Sequence, residues 1–388
     1  MSRRIAVVGG GLAGLNAARY LTKRGFEAIV FEVSDRVGGR VTSDVVDGFI
    51  CDRGFQVINP AYAELKEAGI LSKLNIRSLP KGLEINLGST FLRIGDPRTS
   101  LTYLPSLFSK ESGNLKDKIS FLRYLIGRSE DVDFGSAIEA SGTLYRNVLK
   151  PFLDGVVLGD SEEISNRVVR ELIHWFIKGK PGLAYGGARK FSEELAHGLN
   201  IKCGDRVTKV SSHQIEIGGR YEDFDAVILA TDPRSAAALL GIESVPMNSC
   251  TTWYHRAPLG VINERYLRVA PGSPILNSVV LSNTAPEYAP QGWSLIATTT
   301  LSSISEKELL TELERIWNRN LGEIDLIQRY EIRDALPKKS AGSNLVDDLR
   351  TEVGIYVAGD WRSIPAQQGA LLSGRLAAMA VIADLSTR

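Results

Sequence analysis

The run RIAVVGGGLAGLNAARYL, residues 4–21, leaves this chain few folds to choose from. Residues 5–8 are a short apolar run of the kind that forms a fully buried strand. The run breaks into Gly9, Gly11 and Gly14, at G-x-G-x-x-G spacing, and then into a helical pattern carrying Leu12, Leu15, Ala18 and Leu21. Gly25 is placed to stop that helix. A second buried strand over residues 28–31 ends on Glu32, 18 residues past Gly14. Strand, glycine turn, helix, strand and acid at these spacings make a dinucleotide site. Gly9 permits the tight turn, Gly11 lets a pyrophosphate approach the backbone, and Gly14 lets the helix pack on the strand. The helix opens at Leu12 and Ala13, where unpaired N–H groups and a partial positive charge face the phosphates. Glu32 is placed to accept from a ribose hydroxyl.

The next residues, SDRVGGR, add Gly38, Gly39 and Arg40. The two glycines let backbone pass close to a bulky ligand, and Arg40 can fork onto phosphate oxygens. A simple nicotinamide site has no need of this second clamp. The segment resembles the flavin-containing amine oxidase and carotenoid (phytoene) desaturase superfamily, whose signature runs E-x-x-D-R-x-G-G-R. Glu32, Asp35, Arg36, Gly38, Gly39 and Arg40 match it, while Ser34 stands where many amine oxidases carry arginine. The resemblance implies FAD as cofactor and an α/β fold: a Rossmann-type FAD-binding domain with an inserted α+β substrate domain. The expected division is 1–75, 182–245 and 345–388 for the cofactor, and 76–181 with 246–344 for the substrate.

The same resemblance assigns further residues. The D-x-G step at Asp52 and Gly54 would bring the chain beneath the flavin, so Gly54, Phe55 and Gln56 would contact the isoalloxazine. Residues 182–199 resemble the segment by which the superfamily returns to the cofactor domain. Val207 would meet the adenine through its backbone. Residues 225–231 read as a buried strand, with Ala230 and Thr231 at the carboxyl end where parallel sheets bind ligands. Near the C-terminus a strand over 355–358 ends in Gly359-Asp360, and a long apolar helix begins near Gln367. By resemblance, Asp360 would bind the ribityl hydroxyls, with Arg36 and Arg40 also at the cofactor. The backbone of Gln368, Gly369 and Ala370 would face the flavin N1 and C2 carbonyl. A helix N-terminus there offsets the negative charge of the reduced ring.

Between these motifs the pattern predicts a helix over 61–73, a hairpin at 82–96 around Gly88, and mostly helix over 115–180, broken by Pro151 and Gly155. A strand is expected over 205–214, with a hairpin returning through Gly218 and Gly219. Strands are also expected over 250–256, 275–281, 293–299 and 324–332, with a helix over 306–318. The stretch LKDKISFLRYLIGR sets Ile119, Leu122, Leu125 and Ile126 among basic residues. It reads as a core-facing helix with a solvated side, or as an interfacial helix dipping into a membrane.

Net charge is +1, so no field favours nucleic acid. Cys51, Cys203 and Cys250 form neither a metal spacing nor a redox pair, so no metal is expected. No run approaches the ~18 apolar residues of a membrane span. The first strand leaves no room for a signal peptide. A cytoplasmic location follows, with peripheral membrane contact left open.

For chemistry, the expectation is removal of hydride from a C–H bond of a mainly apolar small molecule to FAD N5. Amine oxidases usually carry a lysine held through water against N5, yet no lysine occurs between Lys209 and Lys307. They also often have an aromatic just before the last helix, where Ala366 stands here. Flavin amine oxidation of an amine-bearing substrate, a non-redox FAD-dependent isomerase and a catalytically degenerate FAD-binding protein are the alternatives. Gln56, Tyr254 and His255 are the catalytic candidates.

Overall fold

The computed structural model describes residues 3–127, 130–138, 142–301, 303–351 and 354–387. A parallel sheet of five strands runs in the order Tyr356–Val357, Ala226–Leu229, Arg4–Val8, Glu27–Glu32, Asn200–Cys203. Its central strands are near-continuous apolar runs because both of their faces are covered. On one face lie the opening helix Leu12–Thr22 and the closing helix Gln367–Ser386, packed through Ala13, Ala17, Ala377, Ala378 and Val381. Small residues set their separation: a Cβ on Gly374 would stand 2.1 Å from the Ala13 carbonyl oxygen. By length and composition this closing helix could cross a membrane, which the count of apolar residues overlooked. Here its apolar side is spent on the opening helix.

The other face is covered by three short antiparallel strands, Val207–Val210, Gln214–Ile217 and Arg220–Asp223. The single strand expected over 205–214 is therefore two, turning at Ser211–His213.

A second sheet has seven strands, in the order Asp325–Pro337, Met247–Pro258, Trp293–Thr300, Ile275–Val280, Leu267–Val269, Gly82–Asn86, Phe91–Gly95. The helices Leu104–Phe108, Leu115–Ile126, Lys150–Val157 and Asn166–Lys178 belong with it. Two expectations fail here. Pro151 and Gly155 do not end the helix: residues 143–157 run on without a gap, Pro151 is met by a π turn over Tyr145–Leu149 just before it, and Gly155 lies inside Lys150–Val157. The helix Leu115–Ile126 does not face the core with Ile119, Leu122 and Ile126, which are exposed; Tyr124 is its buried residue.

Candidate cofactor groove and adjoining cavity

The carboxyl ends of the parallel strands open on a groove of about 750 Å³. Gly9, Gly11, Leu12 and Ala13 line it at the first strand–helix turn, and Gly38, Gly39 and Arg40 come beside them. Glu32 and Val207 line it as well, as do Ala230 and Thr231 after the strand Ala226–Leu229. Phe55 and Gln56 reach it from one segment, and Gly359, Asp360 and Ala370 from the other end of the chain. Residues more than 300 positions apart thus share one trough.

Local geometry explains the turn. Gly9 has φ +111°, a left-handed value that a side chain rarely adopts. A Cβ on Gly14 would fall 2.0 Å from the Gly9 carbonyl oxygen, so Gly14 serves packing and does not line the groove. A Cβ on Gly11 would meet nothing within 4 Å. That open space is the approach a pyrophosphate requires. The Glu32 carboxylate is buried; it accepts from the Gly10 N–H at 2.7 Å and the Ser34 N–H at 2.8 Å. It ties turn to strand and keeps lone pairs for a ribose hydroxyl.

Several expected contacts are rearranged. Arg40 forks onto protein rather than standing free for phosphate: it donates to Asp360 Oδ1 at 2.6 Å and to the Ala335 carbonyl at 2.8 Å. Asp360, expected at the ribityl chain, is therefore also the partner of Arg40. Arg36 lies outside the groove and pairs with Asp44. Of residues 368–370 only Ala370 lines the groove. Gln368 turns its amide oxygen to the Glu64 N–H, and a Cβ on Gly369 would strike the Ile364 carbonyl oxygen at 1.9 Å. The helix start nevertheless fits an electron-rich ring: its N-cap, Ala366, offers no side-chain cap, and Ala366 and Gln367 line the groove. Gly54 lies beside a small void of about 70 Å³, with Asn277, Thr299 and Cys250.

A cavity of about 630 Å³ adjoins the groove, sharing Phe55, Gln56, Gly155, Val156, Leu336, Ala366 and Gln367 with it. Phe121, Phe152, Leu172, Ile173 and Trp175 wall it from the helices, and Leu83, Ile94, Leu267 and Val269 from the sheet. At the junction two amides form a relay. Gln56 Nε2 donates to the carbonyls of Arg53 at 3.2 Å and Arg40 at 3.4 Å. Its oxygen must therefore face Gln367, whose Nε2 donates to it at 3.1 Å. Backbone acceptors thus fix the orientation of both amides.

The sequence reading missed Gly155, Leu336 and Gln367. Gly155 carried a signal: a glycine inside a helix marks close approach, and a Cβ there would stand 3.3 Å from Asn277 Nδ2. Leu336 and Gln367 carried none.

Tyr254 and His255 line neither groove nor cavity. Successive residues of a strand point to opposite faces. Tyr254 faces Phe49 and Leu183 and donates to the Asp52 carbonyl at 2.7 Å. His255 stacks on Trp253, on the side of the helix Glu306–Trp317. Burial pushes its pKa down to about 4.

Asp52 itself is buried beneath the Gly54–Gln56 segment, and burial pushes its pKa up to about 6 from 3.8, against the hydrogen bonds from Ser43 Oγ, the Ala188 N–H and Tyr288. A raised carboxyl contributes stability that is full below the unfolded value and lost as pH rises through the folded one. Asp52→Asn keeps an oxygen for Ser43 and Ala188. It is expected to flatten the dependence of thermal stability on pH between 3.8 and about 6, read from melts across that range.

The model of the family described as flavin containing amine oxidoreductase matches residues 12–382. Polyamine oxidase 2 of Arabidopsis thaliana is 26% identical over 239 residues, covering 54% of this chain and 46% of that protein. The chain thus spans about half the length of that relative. Hydroxysqualene dehydroxylase of Rhodopseudomonas palustris is 26% identical over 318 residues, 72% of each chain. The crystal structure of an oxidoreductase from Methanosarcina mazei superposes with a TM-score of 0.74 at 20% identity, over 98% of this chain and 100% of that one, which shows a shared fold. FAD is the cofactor implied, and the open space at Gly11 and the uncapped closing helix fit it. The chain belongs to the flavin containing amine oxidoreductase family.

Proposed function

We propose that this protein is an FAD-dependent oxidoreductase that removes hydride from a C–H bond of a mainly apolar, uncharged small molecule. The observation that carries this reading is the lining of the 630 Å³ cavity. Among the described residues its ionisable groups are Lys81, Asp96, Arg98 and Tyr62, and Asp96 is already paired with Arg98 at 2.7 Å and Lys81 at 3.6 Å. Among the described lining residues no free carboxylate is left to receive an ammonium group. A cation placed there unpaired would lose several kcal/mol of hydration.

FAD, when bound, supplies the hydride acceptor. The protein's part is to bind, orient and exclude water. Phe152, Trp175 and Leu267 offer apolar surface, and the Gln56–Gln367 relay gives the junction a fixed polar edge. Amine oxidation is the second reading, supported by the likeness to polyamine oxidase 2. An amine would then enter the cavity neutral.

The test is anaerobic titration of the FAD-loaded protein with neutral isoprenoid or steroid-like compounds and with alkyl polyamines, following loss of the oxidised flavin colour. Bleaching by neutral compounds alone is expected. Bleaching by polyamines alone overturns the reading.

A further inference from the structure

We infer that the face formed by the helices Leu104–Phe108 and Leu115–Ile126 docks on an anionic lipid surface, on the far side of a helix that helps to wall the apolar cavity. Leu115, Ile119, Leu122 and Ile126 are spaced i, i+4, i+7, i+11, so they form one stripe along the helix. The stripe points outward, with Leu115 73% and Ile126 76% exposed. The inward side is carried by Tyr124, Phe121 and Leu125, packed on a different cluster. Beside the stripe, Leu104 and Leu107 are exposed and Phe108 is 85% exposed. Lys118 Nζ joins the two helices by donating to the Leu107 carbonyl, and Ser112 Oγ, on the turn between them, donates to that of Ser106. A contiguous apolar surface of this kind is uncommon on a protein that meets only water.

The charges around the stripe select the occupant. Lys116 and Arg123, seven residues apart, flank it on one side, and Lys118 flanks it on the other. None of the three is in an ion pair among the described residues. Asp117, the only acid of this helix, is turned into the capping box with Asn114 and also accepts from the Thr143 N–H. Glu111, on the connecting turn, is an exposed acid at the edge. An apolar stripe flanked by Lys116 and Arg123 on one side and on the other by Lys118, whose charge meets a carbonyl and no carboxylate among the described residues, matches hydrocarbon between anionic headgroups. A second copy of the chain on the same face would set cation against cation.

The position agrees with the cavity. Phe121 lines it from the same helix as Leu122, and Pro97 and Arg98 line it just before Leu101. The helix thus carries the stripe on one side and part of the cavity wall, Phe121, on the other, so a ligand dissolved in lipid has a short path inward. This last step rests on the proposed apolar substrate; the docking itself does not.

The test is flotation of the full-length, FAD-loaded protein with vesicles of phosphatidylcholine, alone and mixed with phosphatidylglycerol, without substrate. Binding to the mixed vesicles is expected, weakened by salt. Phe108→Asp with Leu122→Asp is expected to weaken it about tenfold or more. Lys116→Gln and Arg123→Gln are each expected to weaken it about fivefold at low salt. These side chains are exposed, so melting temperature and flavin colour should be kept, which separates lost docking from lost folding. Absence of binding to mixed vesicles, or equal binding by the aspartate variant, overturns the inference. A dimer that dissociates in the aspartate variant, with no vesicle binding, assigns the face to a second copy instead. None of these outcomes bears on the substrate titration.

Discussion

Gly11→Val is expected to give a folded protein that does not hold FAD. Gly11 has φ −76° and ψ −180°, extended values open to any residue, and a Cβ there meets no protein atom within 4 Å. The free fold therefore has no reason to lose stability, and the melting temperature of the apoprotein should move by no more than about 2 °C. The added side chain stands where the pyrophosphate must come closest to the backbone. Overpacking of a close contact costs about 1–3 kcal/mol, which is about a fivefold to 150-fold loss of affinity, and rigid phosphate oxygens put the expectation at the upper end. Gly14→Val is the contrasting variant. Its Cβ would lie 2.0 Å from the Gly9 carbonyl oxygen, inside the protein, so it should lower the apoprotein's stability as well as its affinity. Melting curves of both apoproteins and fluorescence titration with FAD separate the two. If Gly11→Val binds FAD like the parent, the groove is not the cofactor site.

The contrast between those glycines also shows what could be read from the sequence. The nucleotide end of the groove was legible because its parts are local. A tight turn, a close approach and an acid one strand away follow from backbone geometry over about thirty residues. The flavin end is assembled from far apart. Arg40 meets Asp360 across 320 positions, and Gln56 meets Gln367 across 311. No spacing rule announces such pairs: the sequence places Arg40 at the groove, which it lines, but not beside Asp360 and Ala335. The helix Leu115–Ile126 failed differently. Phe121 and Leu125 face inward while Ile119, Leu122 and Ile126 face outward, so the helix is apolar on two sides. Periodicity says that a stripe exists but not which of two stripes is buried. Tyr254 and His255 are both candidates by residue type, yet on a strand adjacent residues are on opposite faces, and neither face is that of the groove or the cavity.

Glu84→Ala is expected to be the most destabilising single change behind the cavity wall, by about 3–5 kcal/mol. Glu84 and Arg268 are both buried, paired across parallel strands where Arg268 registers with Glu84. Glu84 also accepts from Arg93 Nε at 3.1 Å. Arg268 lies over the rings of Trp317, at 4.2 Å, and Phe91, at 4.4 Å, and donates to the Trp317 carbonyl. Removal of the acid would leave that guanidinium buried with one carbonyl, two ring faces and only the more distant carboxylate of Glu264, at 3.9 Å and itself paired with Arg319. Leu83, Leu267 and Val269, which flank the pair in sequence, point the other way and line the cavity, so the ion pair holds the register that shapes the wall. Burial alone would raise the Glu84 pKa, but hydrogen bonds from Arg268 and Arg93 outweigh it and hold it below its ordinary 4.5. A depressed carboxyl gives stability that is present above the unfolded value and lost as pH falls through the folded one. The parent should therefore lose stability on acidification below 4.5 more steeply than Glu84→Gln, the two converging at low pH. Arg268→Met in the Glu84→Ala background should recover much of the loss, because an apolar pair removes the stranded charge. Chemical denaturation of the single and double variants at neutral pH, with melts across the acid range, checks all three. A single variant within about 1 kcal/mol of the parent would mean that water already reaches the pair, and that the cavity wall is held by its apolar contacts alone.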